Sequence, residues 1–170
     1  MEAPNRPPKR VLLLTASVGT GHNQAARALA VSLRRDAPEL EVHMRDTMEL
    51  VPHWFSSVYA GGFVLGMTRL PWLYGLGYRL TDRPQGPRRS LAEHQRLRRE
   101  RALLRPLERV LDDLRPDLIV HTHFLAPPKV AALQAAGRAG CPQMTVVTDQ
   151  DAHRWWYCEA VAHWFLPSER

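Results

Sequence analysis

Cysteine is nearly absent from this 170-residue sequence. Cys141 and Cys158 stand apart with no CxxC, so no disulfide framework is expected and a reducing cytosol is the natural compartment. Lysine is nearly absent too: Lys9 and Lys129 are the whole supply, and arginine carries the formal net charge of +6. The arginine fork suits phosphate, which admits phosphorylated ligands, anionic lipid and nucleic acid as partners. Nucleic acid is not expected, because no recognition-helix or RNP-type pattern organises the basic residues. A long uninterrupted apolar run is also missing. The run from Val11 ends after about seven residues in a glycine turn, short for a signal-peptide core, so secretion is not expected. The Pro-rich basic stretch before it reads as a flexible tail over 1–10.

What is present is an alternation of strand and helix. "VLLLT" reads as a buried strand, "SVGTG" as a turn, and 21–36 as an alanine-rich helix. "LEVHMRDTMEL", from Leu40, alternates as a second strand, so the chain opens β-α-β and predicts a parallel sheet with right-handed crossovers. "PDLIVHTH", "PQMTVVTD" and "VAHWFLPSER" supply further strands, with a helix over "APPKVAALQAAGRAG" between the first two. The fold class is therefore α/β, a Rossmann-like parallel sheet flanked by helices, in one domain over 11–170.

Residues 54–105 interrupt that plan. The stretch 54–80 is rich in aromatics and glycine and is charged only at Arg69 and Arg79. It has the length of a membrane span, about 20 residues, but Arg69 and Pro71 near its centre argue against crossing. Two short helices broken at Leu70-Pro71 and lying in a membrane interface fit better. Trp54, Phe63, Trp72 and Tyr74 are the candidate contacts. Beyond them, Leu91, Leu97, Leu104, Leu107 and Leu111 mark a basic amphipathic helix, with Arg88 and Arg89 at its approach. It would either bind anionic lipid or pair its arginines with Glu93, Glu100 and Glu108 in solvent.

Ligands of open α/β sheets gather at the carboxyl ends of the strands, and three of those ends carry chemistry here. "GTGHNQA" has no Walker lysine, and Gln24 replaces the third glycine of a dinucleotide fingerprint. Gly19, Thr20 and Gly21 would let backbone approach a phosphate or sugar. His22 would act there as a general base or serve only as a helix-cap residue. His121 and His123 form an HxH, but no third ligand is in range, so no metal is expected. "TDQDAHRWWY" offers Asp149, His153, Trp155 and Trp156 either as a sugar or headgroup site or as a loop plugging the domain edge, with Arg154 beside His153 to help hold an anion.

Taken together, "LLLTASVGTGHNQAARAL", "LPWLYGLGYRLTD", "PDLIVHTHFLAP" and "VTDQDAHRWWY" resemble, in the same order, the monogalactosyldiacylglycerol synthase and processive diacylglycerol glucosyltransferase family. The resemblance spans essentially 10–170. It implies the N-terminal, lipid-acceptor half of a GT-B glycosyltransferase, peripheral on the inner face of the cell membrane. Glucose or galactose would pass with inversion from a UDP-sugar co-substrate to diacylglycerol or a similar lipid, with no metal or other cofactor. His22 would be the base, Asp149 would orient it or the acceptor, and the glycine turn would lie near the diphosphate. His153 and Trp156 would fall on the headgroup loop, and Trp72 and Tyr74 on the membrane segment. No second glycine-rich turn follows "WFLPSER", so a C-terminal UDP-sugar domain is expected to be missing, making a separate donor-domain chain a further partner. The alternative is a non-catalytic membrane-binding module.

Overall fold

The structure, a computed structural model, describes residues 9–82, 91–150 and 152–167. Five strands form one parallel sheet in the order β2-β1-β3-β4-β5: β1 Arg10–Thr15, β2 Glu41–Asp46, β3 Leu118–His121, β4 Gln143–Val146 and β5 His163–Phe165. Because β2 and β3 flank β1 on opposite sides, the winding reverses between β1 and β3, and a crevice opens beyond their carboxyl ends. Arg10 already belongs to β1, and the Lys9 and Arg10 amides donate to Asp117 Oδ2 at 3.0 and 2.8 Å, so the tail expected over 1–10 gives way to ordered strand at its last residue.

Strand β1 is apolar on both faces because both are covered. Leu12 and Leu14 join Ile119 against Leu107 and Leu111 of α5 (Pro106–Leu114) and Val130 and Leu133 of α6 (Pro127–Ala135). On the other face Val11, Leu13, Val42 and Val120 meet Ala30 of α1 (Gly21–Asp36).

The chain between β2 and α5 makes α2 (His53–Thr68), α3 (Pro71–Thr81) and α4 (Leu91–Leu103). The break falls at Leu70-Pro71, where proline removes a donor and blocks continuation of the α2 helix. No helix of the described residues is long and apolar enough to cross a membrane. Instead α3 exposes Trp72, Leu76 and Leu80 at 68, 47 and 50 % of their areas, and α2 exposes Trp54 and Val58 at 63 and 68 %. The side chains of Phe63 and Tyr74, on these helices, and residues Arg88 and Arg89 lie outside the described set.

The amphipathic helix expected through Leu111 is two helices. Pro106 starts α5 at a position a helix tolerates, and the leucines divide: Leu91 is 84 % exposed while Leu97, Leu104, Leu107 and Leu111 are buried. Its acidic residues find partners largely beyond the arginines of that stretch. Among the described residues Glu93 pairs with Arg154 at 2.8 Å, Glu108 with Lys129 and with Arg138 (2.7 Å), and Glu100 within α4 with Arg96 at 2.8 Å.

Candidate functional site at the β1–β3 crevice

The turn after β1 is held by a polar chain that the glycines alone did not announce. Thr15 Oγ1 donates to Asn23 Oδ1 (2.8 Å) and Asn23 Nδ2 to Ser17 Oγ (2.9 Å). Ser17 donates in turn to Asp46 through both its hydroxyl and its amide, the latter at 3.1 Å. Asp46 also accepts from the Met48 amide at 2.8 Å, so the carboxyl end of β2 braces the turn after β1. Within that turn Gly19 has φ of 80°, in the left-handed region where a Cβ is disfavoured. Gly19→Ala is expected to cost about 1–2 kcal/mol of unfolding free energy, read as a lower urea midpoint with unchanged slope. Thr20 caps α1 with no side-chain hydrogen bond, and the first turn holds no acidic residue, which leaves the positive helix end uncompensated from within the helix.

His22 stands in that first turn. Its Nδ1 lies 3.0 Å from the Thr122 carbonyl and 2.5 Å from Thr148 Oγ1. A carbonyl can only accept, so Nδ1 carries the proton and Nε2 keeps its lone pair. Thr122, just past β3, donates its own hydroxyl back to the His22 carbonyl at 3.1 Å, so the ring and backbone of His22 are gripped by one residue. Nε2 has no hydrogen-bond partner among the described residues. Burial pushes the His22 pKa below its ordinary value, while the Asp149 charge and the Thr122 hydrogen bond pull it part of the way back. A neutral imidazole with a lone pair in a crevice is a competent proton acceptor near neutrality.

His123 is the edge-on neighbour, its ring centroid 4.7 Å from that of His22. Its Nδ1 accepts from the Leu125 amide at 3.1 Å, which places the proton on Nε2, the opposite tautomer to His22. Burial, with the His22 charge as a smaller cause, holds its pKa well below the usual value. His121 serves elsewhere. It is fully buried, its Nε2 donates to Gln143 Oε1 at 2.9 Å, and its pKa falls to about 4 by burial. The two histidines of the HxH are thus committed to different partners, and among the described residues no group of three or more His, Cys, Asp or Glu could hold a metal ion.

The loop after β4 closes the crevice. Asp149 Oδ2 accepts from Trp156 Nε1 at 2.8 Å, and the indole lies 6.1 Å from the His22 ring. The contacts that orient His22 therefore come from Thr122 and Thr148, and Asp149 acts on it through charge. Trp156 is 1 % exposed, and the Arg96 guanidinium sits 4.9 Å over one face of the half-buried Trp155 ring. His153 is 3 % exposed. Its Nδ1 accepts from the Trp155 amide and its Nε2 lies 3.1 Å from Thr81 Oγ1, tying this loop to the end of α3. Arg154 is drawn onto Glu93 and, through its amide, onto Asp82, rather than standing beside His153 for an anion.

The switch point of a Rossmann-like sheet, where the oriented His22 stands at the strand ends, is the place at which α/β domains of this class take ligands. The family model described as monogalactosyldiacylglycerol (MGDG) synthase matches residues 22–170, and the chain belongs to that family, whose name denotes glycolipid-forming glycosyltransferases. No curated protein matches the chain. Thr122, Thr148, Asp46 and Asn23 escaped the sequence reading. The one signal for the two threonines was position: each follows a buried strand run in a "HTH" or "VTD" string.

Proposed function

We propose that this domain binds the lipid acceptor of an inverting hexosyl transfer and supplies its base, His22. The acceptor hydroxyl, on diacylglycerol or a similar lipid alcohol, would give its proton to His22 Nε2. The freed oxygen pair would bond to the anomeric carbon, and the bond from that carbon to the diphosphate would break, releasing UDP with the electron pair and inverting the centre. The positive end of α1 and the Gly19–Gly21 backbone would lie toward the diphosphate of a UDP-glucose or UDP-galactose presented by a facing donor domain. Neither metal nor other cofactor enters this scheme. Asp149 would stabilise the imidazolium once the proton has moved, and His123, with its proton on Nε2, would donate to an oxygen of the acceptor.

The observation that carries this reading is the grip of Thr122 and Thr148 on Nδ1, which leaves Nε2 as a lone pair in the crevice. A helix-cap role alone would not need the ring fastened to the segments that follow two later strands. The exposed apolar faces of α2 and α3 support attachment to the inner, anionic face of a cell membrane, and they would serve a non-catalytic membrane-binding module equally well. Radiolabelled UDP-glucose or UDP-galactose and diacylglycerol in phosphatidylglycerol vesicles separate the two readings, with vesicle sedimentation on the same samples. Glycolipid formation, by the chain alone or with a donor-domain partner added, is expected. Sedimentation without glycolipid under both conditions would leave the module reading.

A further inference from the structure

A groove of about 1210 Å³ runs between α2 and the α4–α5 junction, and neither the crevice nor the family match accounts for it. Its lining is mainly apolar: Val51, Phe55 and Leu103 belong to or adjoin the cluster around Leu104 and Leu125, and the exposed Val58 lines it from α2. Its polar lining residues are Glu49, Gln95, Arg96, Arg99, Glu100 and Arg105. Glu100 is held by Arg96, whereas Arg99 and Arg105 are exposed and make no ion pair among the described residues. A trough with mainly apolar walls suits a hydrocarbon chain better than a polar metabolite.

Two continuities say which chain. The groove is lined by Trp54 and Val58, part of the apolar face that α2 leaves exposed. From Phe55, which also lines it, a series of ring contacts leads to the base. Phe55 stacks on Tyr59 at 5.5 Å, Tyr59 meets the His123 ring at 6.4 Å, and His123 meets His22 at 4.7 Å. The rim arginines Arg99 and Arg105 match the charge of an anionic leaflet, where guanidinium heads stay wet while their stems lie against apolar surface.

We propose that this groove takes one acyl chain of the acceptor lipid out of the leaflet, so that its glycerol end travels along Phe55 and Tyr59 to His22. The proposal rests on the acceptor role argued above but reads out without turnover. The test uses diacylglycerol carrying a photoreactive diazirine at the end of one acyl chain, in phosphatidylcholine–phosphatidylglycerol vesicles, with labelled peptides mapped by mass spectrometry. Label is expected on α2 and α4, and to persist in His22→Ala. Ala102 is exposed and lines the groove, so Ala102→Trp fills the trough without disturbing the core. It should lower groove labelling about tenfold, the factor that displacing about two buried methylenes predicts, with vesicle sedimentation unchanged. Val58→Trp repeats the test from the opposite wall. Label confined to α3, or unchanged by both plugs, would overturn the proposal. Groove label without glycolipid formation would uphold the groove and remove the chemistry, whereas glycolipid formation with label elsewhere would do the reverse.

Discussion

His22→Ala is expected to lower sugar transfer by about 10²–10⁴-fold while vesicle sedimentation stays unchanged, the loss typical of removing a positioned general base. The separation of the two readouts follows from place. His22 lies at the strand ends against Trp156 and His123, whereas Trp54, Val58, Trp72 and Leu76, the exposed side chains assigned to attachment, lie on α2 and α3. The pH profile carries the sharper sign. The base form is the neutral imidazole, and burial holds its pKa below the ordinary 6.5, so transfer should stay high at pH 7 and fall only as pH drops through that lowered value. Asp149→Asn keeps an acceptor for Trp156 Nε1 but removes the charge that raises the His22 pKa. Its acidic limb should move to lower pH, with a reduced plateau because the imidazolium loses its counter-charge. A limb that moves to higher pH, or a His22→Ala variant that loses sedimentation as fully as transfer, would remove the catalytic role.

The second large effect concerns attachment. Trp72 and Leu76 sit one turn apart on α3, at 68 and 47 % exposure, and neither supports the core. Changing both to glutamate should weaken binding to phosphatidylglycerol vesicles by about 10²-fold or more, because each apolar side chain is worth about 1.5–3 kcal/mol when buried and the new charges meet an anionic surface. Far-ultraviolet circular dichroism should be unchanged. Binding that survives the double change, or that vanishes entirely in high salt, would assign attachment to the arginines instead.

How legible all this was in the sequence varies by element, and the variation has a cause. The strand β1, the turn, α1 and the break at Leu70-Pro71 were readable because each is written in neighbours: an apolar run, a glycine needed for positive φ, a proline that cannot donate. The three chemically loaded strand ends were readable for the same reason. The division of the leucines between α4 and α5 was harder to read, because its one local signal is Pro106, which starts α5, while the helical spacing of the leucines continues in sequence across it.

The site divides along the same line. Sequence alone determined that a histidine follows a glycine turn at a strand end, and that tryptophans and a carboxylate follow another. Tertiary structure decided what they are. The tautomer of His22 depends on Thr122 and Thr148, a hundred residues and more away along the chain, and the shape of the turn on Asp46 at the end of β2. Trp156 is packed inward, because burying its indole and satisfying its N–H on Asp149 is favourable in a way no local pattern encodes, whereas Trp155 stays half-buried. Local rules set backbone conformation through neighbours, but protonation and burial are properties of surroundings, and a parallel sheet assembles those surroundings from segments far apart in the chain.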